Sequence, residues 1–519
     1  MADPVTGAIA AVLVKVGVGA KTAAVVANVA FAVAQMAALN AVGGAISQAQ
    51  AQKASGMQLE FMADSQLPKT ILLGRSAVAG KAAFQYPSAS GRKKFDNCIV
   101  NYFPVLTGCG PIDAIEAFEM NGERVFWNNA TGQVTSGKYK DKMWLKTTTG
   151  AWGGPALTPP AWPAGWHISF PEWTANHKLS GWAHAWLSIY YEEGDGTWSG
   201  GVNPLFIIRG VRGYDPRRDS TYPGGSGPQR IHLPETWEWT QNPYVCGLTW
   251  LIGWWENGKL SGGCGIPPAG INIQSFVEGA NIADFNGWKC GGEVTMLTSL
   301  LGVLKSILQS GGGKPITTGA EVSCMVNAPR TALTTVTIDD LAGGFSIPAT
   351  KSRRERKNSI VPRYRSEAHN WEIVSAAPVT VLEYVTADGG LRQEEVEYPL
   401  CQDAKQVGQL AAYDLVNGRE FGPIPMPLKT RMIGFKPGDA FYVNIPEAGL
   451  NNQKVVIENR LPDFGTGGVV LTVESETDSK HAFALGQEPH PPVAPGLTRP
   501  DYGDTASPEA DEWSAAAGA

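Results

Sequence analysis

The sequence has few charged residues and no excess of basic ones. Only 17% of the 519 residues are Asp, Glu, Lys or Arg, whereas about a quarter is usual for soluble domains. The 42 basic and 48 acidic residues give a formal net charge of −6, so the global charge does not indicate a dedicated DNA-binding protein. A long chain with so few charges is expected to bury surface against other chains, although large β-rich proteins share this composition.

Metal-ligand patterns are also missing. The seven cysteines lie far apart, with no Cys-x-x-Cys pair, and their spacings are not those of zinc sites. Three histidines lack the spacing of a metal-binding helix: His167, His177 and His184. We expect reduced, mostly buried thiols in a protein made in the cytosol, and we predict no metal site and no cofactor.

The common catalytic motifs are absent as well. The sequence contains no G-x-S-x-G and no H-E-x-x-H, and the segment GVGAKT has Ala20 where a phosphate-binding loop needs glycine. A carboxylate pair for glycoside chemistry could come from the turn YEEGDG, which contains Glu192, Glu193 and Asp195. A solvated turn is the favoured interpretation. We therefore predict no catalytic residues and no enzyme activity.

The N-terminal region contains an uncharged stretch, AAVVANVAFAVAQMAAL, from Ala23 to Leu39. The preceding residues lack the positive segment that begins a signal peptide. Lys21, Asn28 and Gln35 recur every seven residues and would share one helix face. We expect a helix over about residues 6–42 that packs on protein, with a membrane-active or a loosely ordered segment as alternatives.

The rest of the chain reads as a β-rich α+β protein. Residues 1–55 form the N-terminal helix and linker, and residues 59–225 a first β-rich domain with a Trp-rich insertion at 128–180. Mixed α/β domains follow at 230–369, a second β-rich domain at 370–485, and an extended or disordered tail at 486–519. Asn121-Gly122 between two apolar runs predicts a hairpin. A helix is expected with five leucines on one face: Leu297, Leu300, Leu301, Leu304 and Leu308.

Tryptophan is concentrated in one part of the sequence. Fourteen of the 17 tryptophans lie between Trp127 and Trp255. Such a density can serve core packing, stacking on sugars, a membrane interface or subunit contacts. The sequence leaves these alternatives open.

A basic segment stands out in this acidic protein. Between residues 351 and 365 it has seven basic side chains and one glutamate: Lys351, Arg353, Arg354, Arg356, Lys357, Arg363 and Arg365. The segment could line a lumen and face DNA phosphates, lie against an acidic neighbour at a subunit interface, or form a solvated loop.

Four stretches, in this order, carry a resemblance to a known family. They are GPIDAIEAFEMNGERVF, NPYVCGLTWLIGWWENGKLSGGCG, INIQSFVEGANIAD, and DAKQVGQLAAYDLVNGRE followed by FKPGDAFYV. Over about residues 60–480 the chain resembles the central tail hub, or tail tip, proteins of long-tailed non-contractile bacteriophages. That family includes the host-specificity protein of lambda-like phages and the hub of gene transfer agents.

The resemblance implies two barrel-like β-domains flanking mixed α/β domains, in a homotrimer at the virion tail tip that is assembled in the host cytoplasm. The implied function is structural: the hub closes the tail tube and opens for DNA ejection. Its implied partners are the distal tail protein, the C-terminal end of the tape-measure protein, tip or fibre proteins and, in passing, genomic DNA and the host envelope.

Lambda-like relatives continue into receptor-binding modules, whereas about 40 residues follow the last barrel-like segment here, which puts direct receptor binding in doubt. The alternatives are a tail-associated glycan-binding or glycan-hydrolysing protein, and a peripheral fibre. A fibre would usually show sequence repeats, and none is found.

Overall fold

The computed structural model describes residues 62–63, 69–89, 98–163, 173–191, 196–198, 202–296, 299–347, 355–463, 465 and 467–492. Within these residues the chain forms 24 strands and six α-helices, which confirms the β-rich α+β prediction. The predicted N-terminal helix and nearly all of the C-terminal tail lie outside the described residues. So do Leu297 of the expected leucine face and three cations of the basic segment, Lys351, Arg353 and Arg354.

The first β-rich region has a five-stranded sheet, in the order β1-β4-β5-β9-β8, and a four-stranded sheet, in the order β3-β10-β6-β7. Its strands are β1 (Met62–Ala63), β2 (Thr70–Leu73), β3 (Arg75–Val78), β4 (Lys81–Ala89), β5 (Cys98–Thr107), β6 (Ile112–Met120), β7 (Glu123–Val125), β8 (Met143–Thr148), β9 (Ala183–Tyr190) and β10 (Pro204–Val211). Side chains of both sheets, among them Phe118, Leu187 and Phe206, share one apolar core.

Local turn chemistry forms the predicted hairpin between β6 and β7. Asn121 and Gly122 have φ values of 51° and 78°, the left-handed pair that a type I′ turn requires and that Asn-Gly adopts readily. The Trp-rich insertion at 128–180, in contrast, is not wholly separate from the sheet. Its β8 pairs with β9 along six residues, so it supplies the edge strand of the five-stranded sheet.

The central region is helical and packs around one apolar core. Its elements are α1 (Pro243–Ile252), β11 (Trp254–Glu256), β12 (Lys259–Gly262), α2 (Ile273–Asn286), β13 (Gly292–Thr295), α3 (Leu300–Gln309), β14 (Gly313–Thr318) and β15 (Glu321–Val326). All ten residues of α1 are buried. Because β13 pairs with β2, the central region is joined to the first β-rich region by backbone hydrogen bonds.

The expected leucine face of α3 is partly wrong. The buried residues are Val303, Leu304, Ile307 and Leu308, whereas Leu300 and Leu301 are 38% and 48% exposed. The buried face is turned toward α1. A Cβ added at Gly247 of that helix would lie 3.1 Å from a Leu308 methyl carbon and 3.6 Å from one of Leu304, so packing on α1 rather than leucine count selects the face.

The last region contains a second five-stranded sheet, in the order β16-β22-β23-β24-β21, and a smaller sheet around β17. Its elements are β16 (Ala332–Val336), β17 (Ser359–Ser366), β18 (Glu372–Ser375), β19 (Val379–Thr380), α4 (Leu382–Asp388), β20 (Gln393–Tyr398), α5 (Ala404–Asn417), β21 (Ile424–Leu428), β22 (Ala440–Ile445), β23 (Leu450–Asp463), β24 (Gly468–Ser475) and α6 (Ser479–Leu485). One strand of the five-stranded sheet, β16, lies well before residue 370, where the second β-rich domain was expected to begin.

Neither five-stranded sheet closes on itself among the described strands, since their end strands pair on one side only. The barrel-like shape therefore stays a prediction. Of the six described helices, none has the length and apolar character needed to span a bilayer.

Candidate functional site

The described part of the basic segment has its partners within the chain. Arg356 Nη1 lies 4.0 Å from Asp388 Oδ1, and Lys357 forms an ion pair with Glu394. Arg363 Nη1 lies 4.0 Å from a Glu395 carboxylate oxygen. The positive charges of these three side chains are thus balanced by carboxylates of the same chain.

Strand pairing explains this balance. β17 carries Arg363 and Arg365 and pairs in parallel with β20, which places Arg363 opposite Glu397. The β20 sequence, QEEVEY, contains three glutamates, and opposite charges on adjacent strands attract. Sequence reasoning missed this acidic partner, although its run of glutamates was a usable signal.

Arg365 differs from the other described cations of the segment. Its Nη1 donates a hydrogen bond of 2.7 Å to the backbone oxygen of Trp371, and burial lowers the pKa of its guanidinium. Arg365 therefore holds the turn between β17 and β18. The side chains of Arg356, Lys357 and Arg363 keep 30%, 46% and 38% of their surface exposed.

Asp388 anchors the start of the described segment. Its side chain is 1% exposed and forms an ion pair with Arg419, and Asn358 Nδ2 donates to it at 3.0 Å. The hydrogen bond from Arg419, with that of Asn358, lowers the pKa of Asp388 to about 2. A carboxylate held this way stays charged at any physiological pH.

The Trp-rich region divides between core and surface. Six of its tryptophans are buried: Trp144, Trp186, Trp198, Trp237, Trp250 and Trp254. Core packing therefore accounts for a large share of the tryptophan density. Trp255 is 43% exposed, and it borders a concave site.

This site, which we call the aromatic cleft, has a volume of about 300 Å³. Five separate chain segments meet there, and the lining residues are Pro111, Ile112, Asp113, Thr149, Ala151, Trp152, Arg212, Pro234, Glu235, Trp237, Trp254 and Trp255. Ligand sites are typically concave, rich in aromatic side chains and supplied with a few polar groups. The cleft fits that description at the small end of the size range.

The indole rings of the cleft are held in place. Trp254 Nε1 donates to the Arg212 backbone oxygen at 3.2 Å, and Trp255 Nε1 donates to Ile252 O at 3.0 Å. Trp152 lies so close to Gly181 that a Cβ added there would be 1.9 Å from its ring. The cleft is therefore preformed, and the N–H of Trp255 is already bonded.

The polar groups of the cleft balance in charge. Asp113 pairs with Arg212 at 3.2 Å and with Arg209 at 3.1 Å. The second lining carboxylate, Glu235, is exposed. Arg212 Nε is buried and has no hydrogen-bond partner. The cleft thus contains a carboxylate whose charge is offset by two arginines, and Arg212 keeps 42% of its side chain exposed.

The other candidate residues form no site within the part of the chain that the structure describes. The six cysteines whose side chains are described carry no disulfide, and no group of His, Cys, Asp and Glu there is arranged to hold a metal ion. His184 is buried, which lowers its pKa, and His177 is exposed. Four candidates lie outside the described residues: His167, Glu192, Glu193 and Asp195.

Comparison with known proteins gives structural likenesses only. No protein-family model and no curated protein matches the chain. A chain of the virion of a native gene transfer agent particle is similar at a TM-score of 0.49 and 12% identity, covering 86% of this chain and 97% of that one. A tail protein from Neisseria meningitidis MC58 has a TM-score of 0.28 and 9% identity, covering 79% and 97%. A prophage MuSo2 tail protein from Shewanella oneidensis has a TM-score of 0.28 and 8% identity, covering 80% and 100%. All three likenesses are partial.

Proposed function

We propose that this chain is a structural hub subunit at the distal end of a phage tail tube. The supporting observation is that the resembling stretches form the hairpin and the helices that the resemblance implies. The first is the β6–β7 hairpin, and the second is α1, which begins at Asn242-Pro243. The third is α2, and the fourth contains α5. The strand that the resemblance implies to end in Pro-Gly-Asp differs, because this turn precedes β22 here.

In this proposal the hub closes the tube and opens for DNA ejection. It contacts the distal tail protein above, tip or fibre proteins below, and the C-terminal end of the tape-measure protein in the lumen. Three copies would present six β-rich regions to a sixfold tube, and a closed ring leaves no contact that could grow into a filament. The role is structural and involves no catalysis.

The surface of the last region suits such an assembly. Several large apolar side chains there are exposed: Leu333, Ile338, Leu382, Leu391, Tyr442 and Leu461. Protein interfaces favour apolar over charged residues in their centres, and the low charge of the whole chain agrees with this preference.

The role of the basic segment can be tested by substitution. Replacing Arg353, Arg354 and Arg356 by Ser is expected to reduce tail assembly or infectivity if the segment lines the lumen or a subunit interface. The matched control replaces three exposed lysines by Ser: Lys178, Lys259 and Lys436. Equal titre and tail yield for both variants would mean that the segment is a solvated loop.

Deleting residues 1–55 tests the N-terminal prediction. If this region packs as a helix on neighbouring tail proteins, the truncated chain folds but assembles poorly. Mature particles that lack these residues through cleavage would contradict the packing role.

The alternative of glycan binding has one specific observation in its favour, the aromatic cleft. For glycan hydrolysis, the candidate carboxylates Glu192 and Glu193 lie outside the described residues. We propose no hydrolytic activity, and turnover of host glycans by the purified chain, abolished by substituting Glu192 or Glu193, would overturn that.

A further inference from the structure

We propose that the aromatic cleft is a binding site for one ring of a neutral saccharide. Trp255 would stack on the ring face, while Asp113 and Arg212 would bond its hydroxyl groups. This inference concerns the chain alone and holds whether or not the chain is a tail hub.

The aromatic groups supply the first part of the argument. A pyranose ring has an apolar C–H face and a polar hydroxyl edge, so a binding site needs a flat apolar surface next to a few hydrogen-bonding groups. Trp255, which lines the cleft and is 43% exposed, provides the surface. Its orientation is fixed by the bond to Ile252 O, and preformed sites bind with a smaller entropic cost.

The polar groups supply the second part. Vicinal hydroxyls both donate and accept, so they are matched by a carboxylate beside a guanidinium. Asp113 and Arg212 lie 3.2 Å apart in the cleft lining. The Arg212 side chain keeps 42% of its surface exposed and that of Asp113 17%, so both can meet the hydroxyl groups of a ligand in the cleft.

The charge balance decides the ligand class. An aromatic site for a quaternary ammonium ion needs electronegative surroundings, but two arginines, Arg209 and Arg212, pair with the carboxylate of Asp113 here. A proline-rich peptide would need an extended groove, whereas this cleft has only about 300 Å³. A neutral, compact and hydroxyl-rich ligand fits best.

Binding is measured on the purified full chain with neutral trisaccharides of glucose, galactose, mannose and N-acetylglucosamine. Saturation-transfer NMR and tryptophan fluorescence report binding at up to about 10 mM ligand. We expect saturable binding of at least one trisaccharide. Substituting Trp255→Ala should weaken it by about tenfold or more, and Trp255→Phe, which keeps a ring, should weaken it less.

The control is Phe285→Ala, which removes an aromatic ring that is 89% exposed and lies outside the cleft. It should leave the affinity unchanged. Because Trp255 is partly exposed, its substitution is not expected to unfold the chain. Circular dichroism of both variants checks this. The proposal is overturned if no trisaccharide binds, if Trp255→Ala binds as wild type does, or if tetramethylammonium or a decaproline peptide binds the cleft instead.

Discussion

Substituting Gly279 in α2 is predicted to destabilise the chain, because Tyr244 of α1 packs directly on this glycine. A Cβ added at Gly279 would lie 2.4 Å from Tyr244 Cδ1, and carbon atoms pack best at about 3.5–4.0 Å. The ring is fully buried, and its hydroxyl donates to Gly311 O at 2.8 Å. Substituting Gly279→Ala must therefore move one of the two helices or the ring.

The ring has no room to retreat. A Cβ at Gly311 would lie 2.6 Å from Tyr244 Cε2, and one at Gly313 would lie 2.4 Å from its hydroxyl oxygen. Overpacking costs about 1–3 kcal/mol, and a contact at 2.4 Å with a fixed ring belongs to the upper part of that range, about 2–3 kcal/mol. Better helix propensity returns at most about 1 kcal/mol. We expect Gly279→Ala to lower the free energy of unfolding by about 1–2 kcal/mol.

The matched control is Gly302→Ala in α3. Gly302 is exposed, and a Cβ there would meet only Ser299, at an ordinary 3.5 Å. This variant should be as stable as wild type or slightly more so, because only helix propensity changes. Thermal and urea unfolding followed by tryptophan fluorescence compare the two. A Gly279→Ala chain as stable as wild type would refute the close packing of α1 on α2.

Three further predictions concern stability, each measured by urea unfolding. The pKa of Asp388 is lowered to about 2 by folding, so its contribution is present above its ordinary value of about 3.9 and is lost as the pH falls toward 2. Substituting Asp388→Asn should cost about 2 kcal/mol at pH 7 and flatten the acid dependence. Lys480 is buried and its Nζ lies 2.5 Å from a carboxylate oxygen of Glu476. Substituting Lys480→Met removes this partner of Glu476 and should lower the free energy of unfolding by about 3 kcal/mol. The control, Lys405→Met at an exposed ion pair, should leave the stability unchanged. Asn242→Ala removes the N-cap of α1 and should cost about 1 kcal/mol or more, with Asn242→Ser, which keeps a capping oxygen, costing less.

Features set by neighbouring residues could be predicted from the sequence. The Asn121-Gly122 hairpin follows from turn chemistry alone. The ends of α2 follow from Asn272, whose side chain caps the first turn, and Gly287, which takes a left-handed conformation. Such elements need no knowledge of the rest of the chain.

Features set by distant residues could not be predicted. The basic segment is balanced by a strand some 30 residues later, and strand register is not readable from either segment alone. The aromatic cleft combines Trp152 with Arg212 and Trp255 through tertiary packing. The buried face of α3 depends on the position of α1, so leucine spacing alone predicted the buried residues only in part.

Electron cryo-microscopy of the intact particle, with this subunit located by a label, tests the central proposal most directly. The hub proposal predicts three copies in a ring at the distal end of the tail tube, with their β-rich regions facing the sixfold tube. One copy or six at that position would contradict the trimeric hub. Absence of the subunit from the particle would contradict the tail role itself.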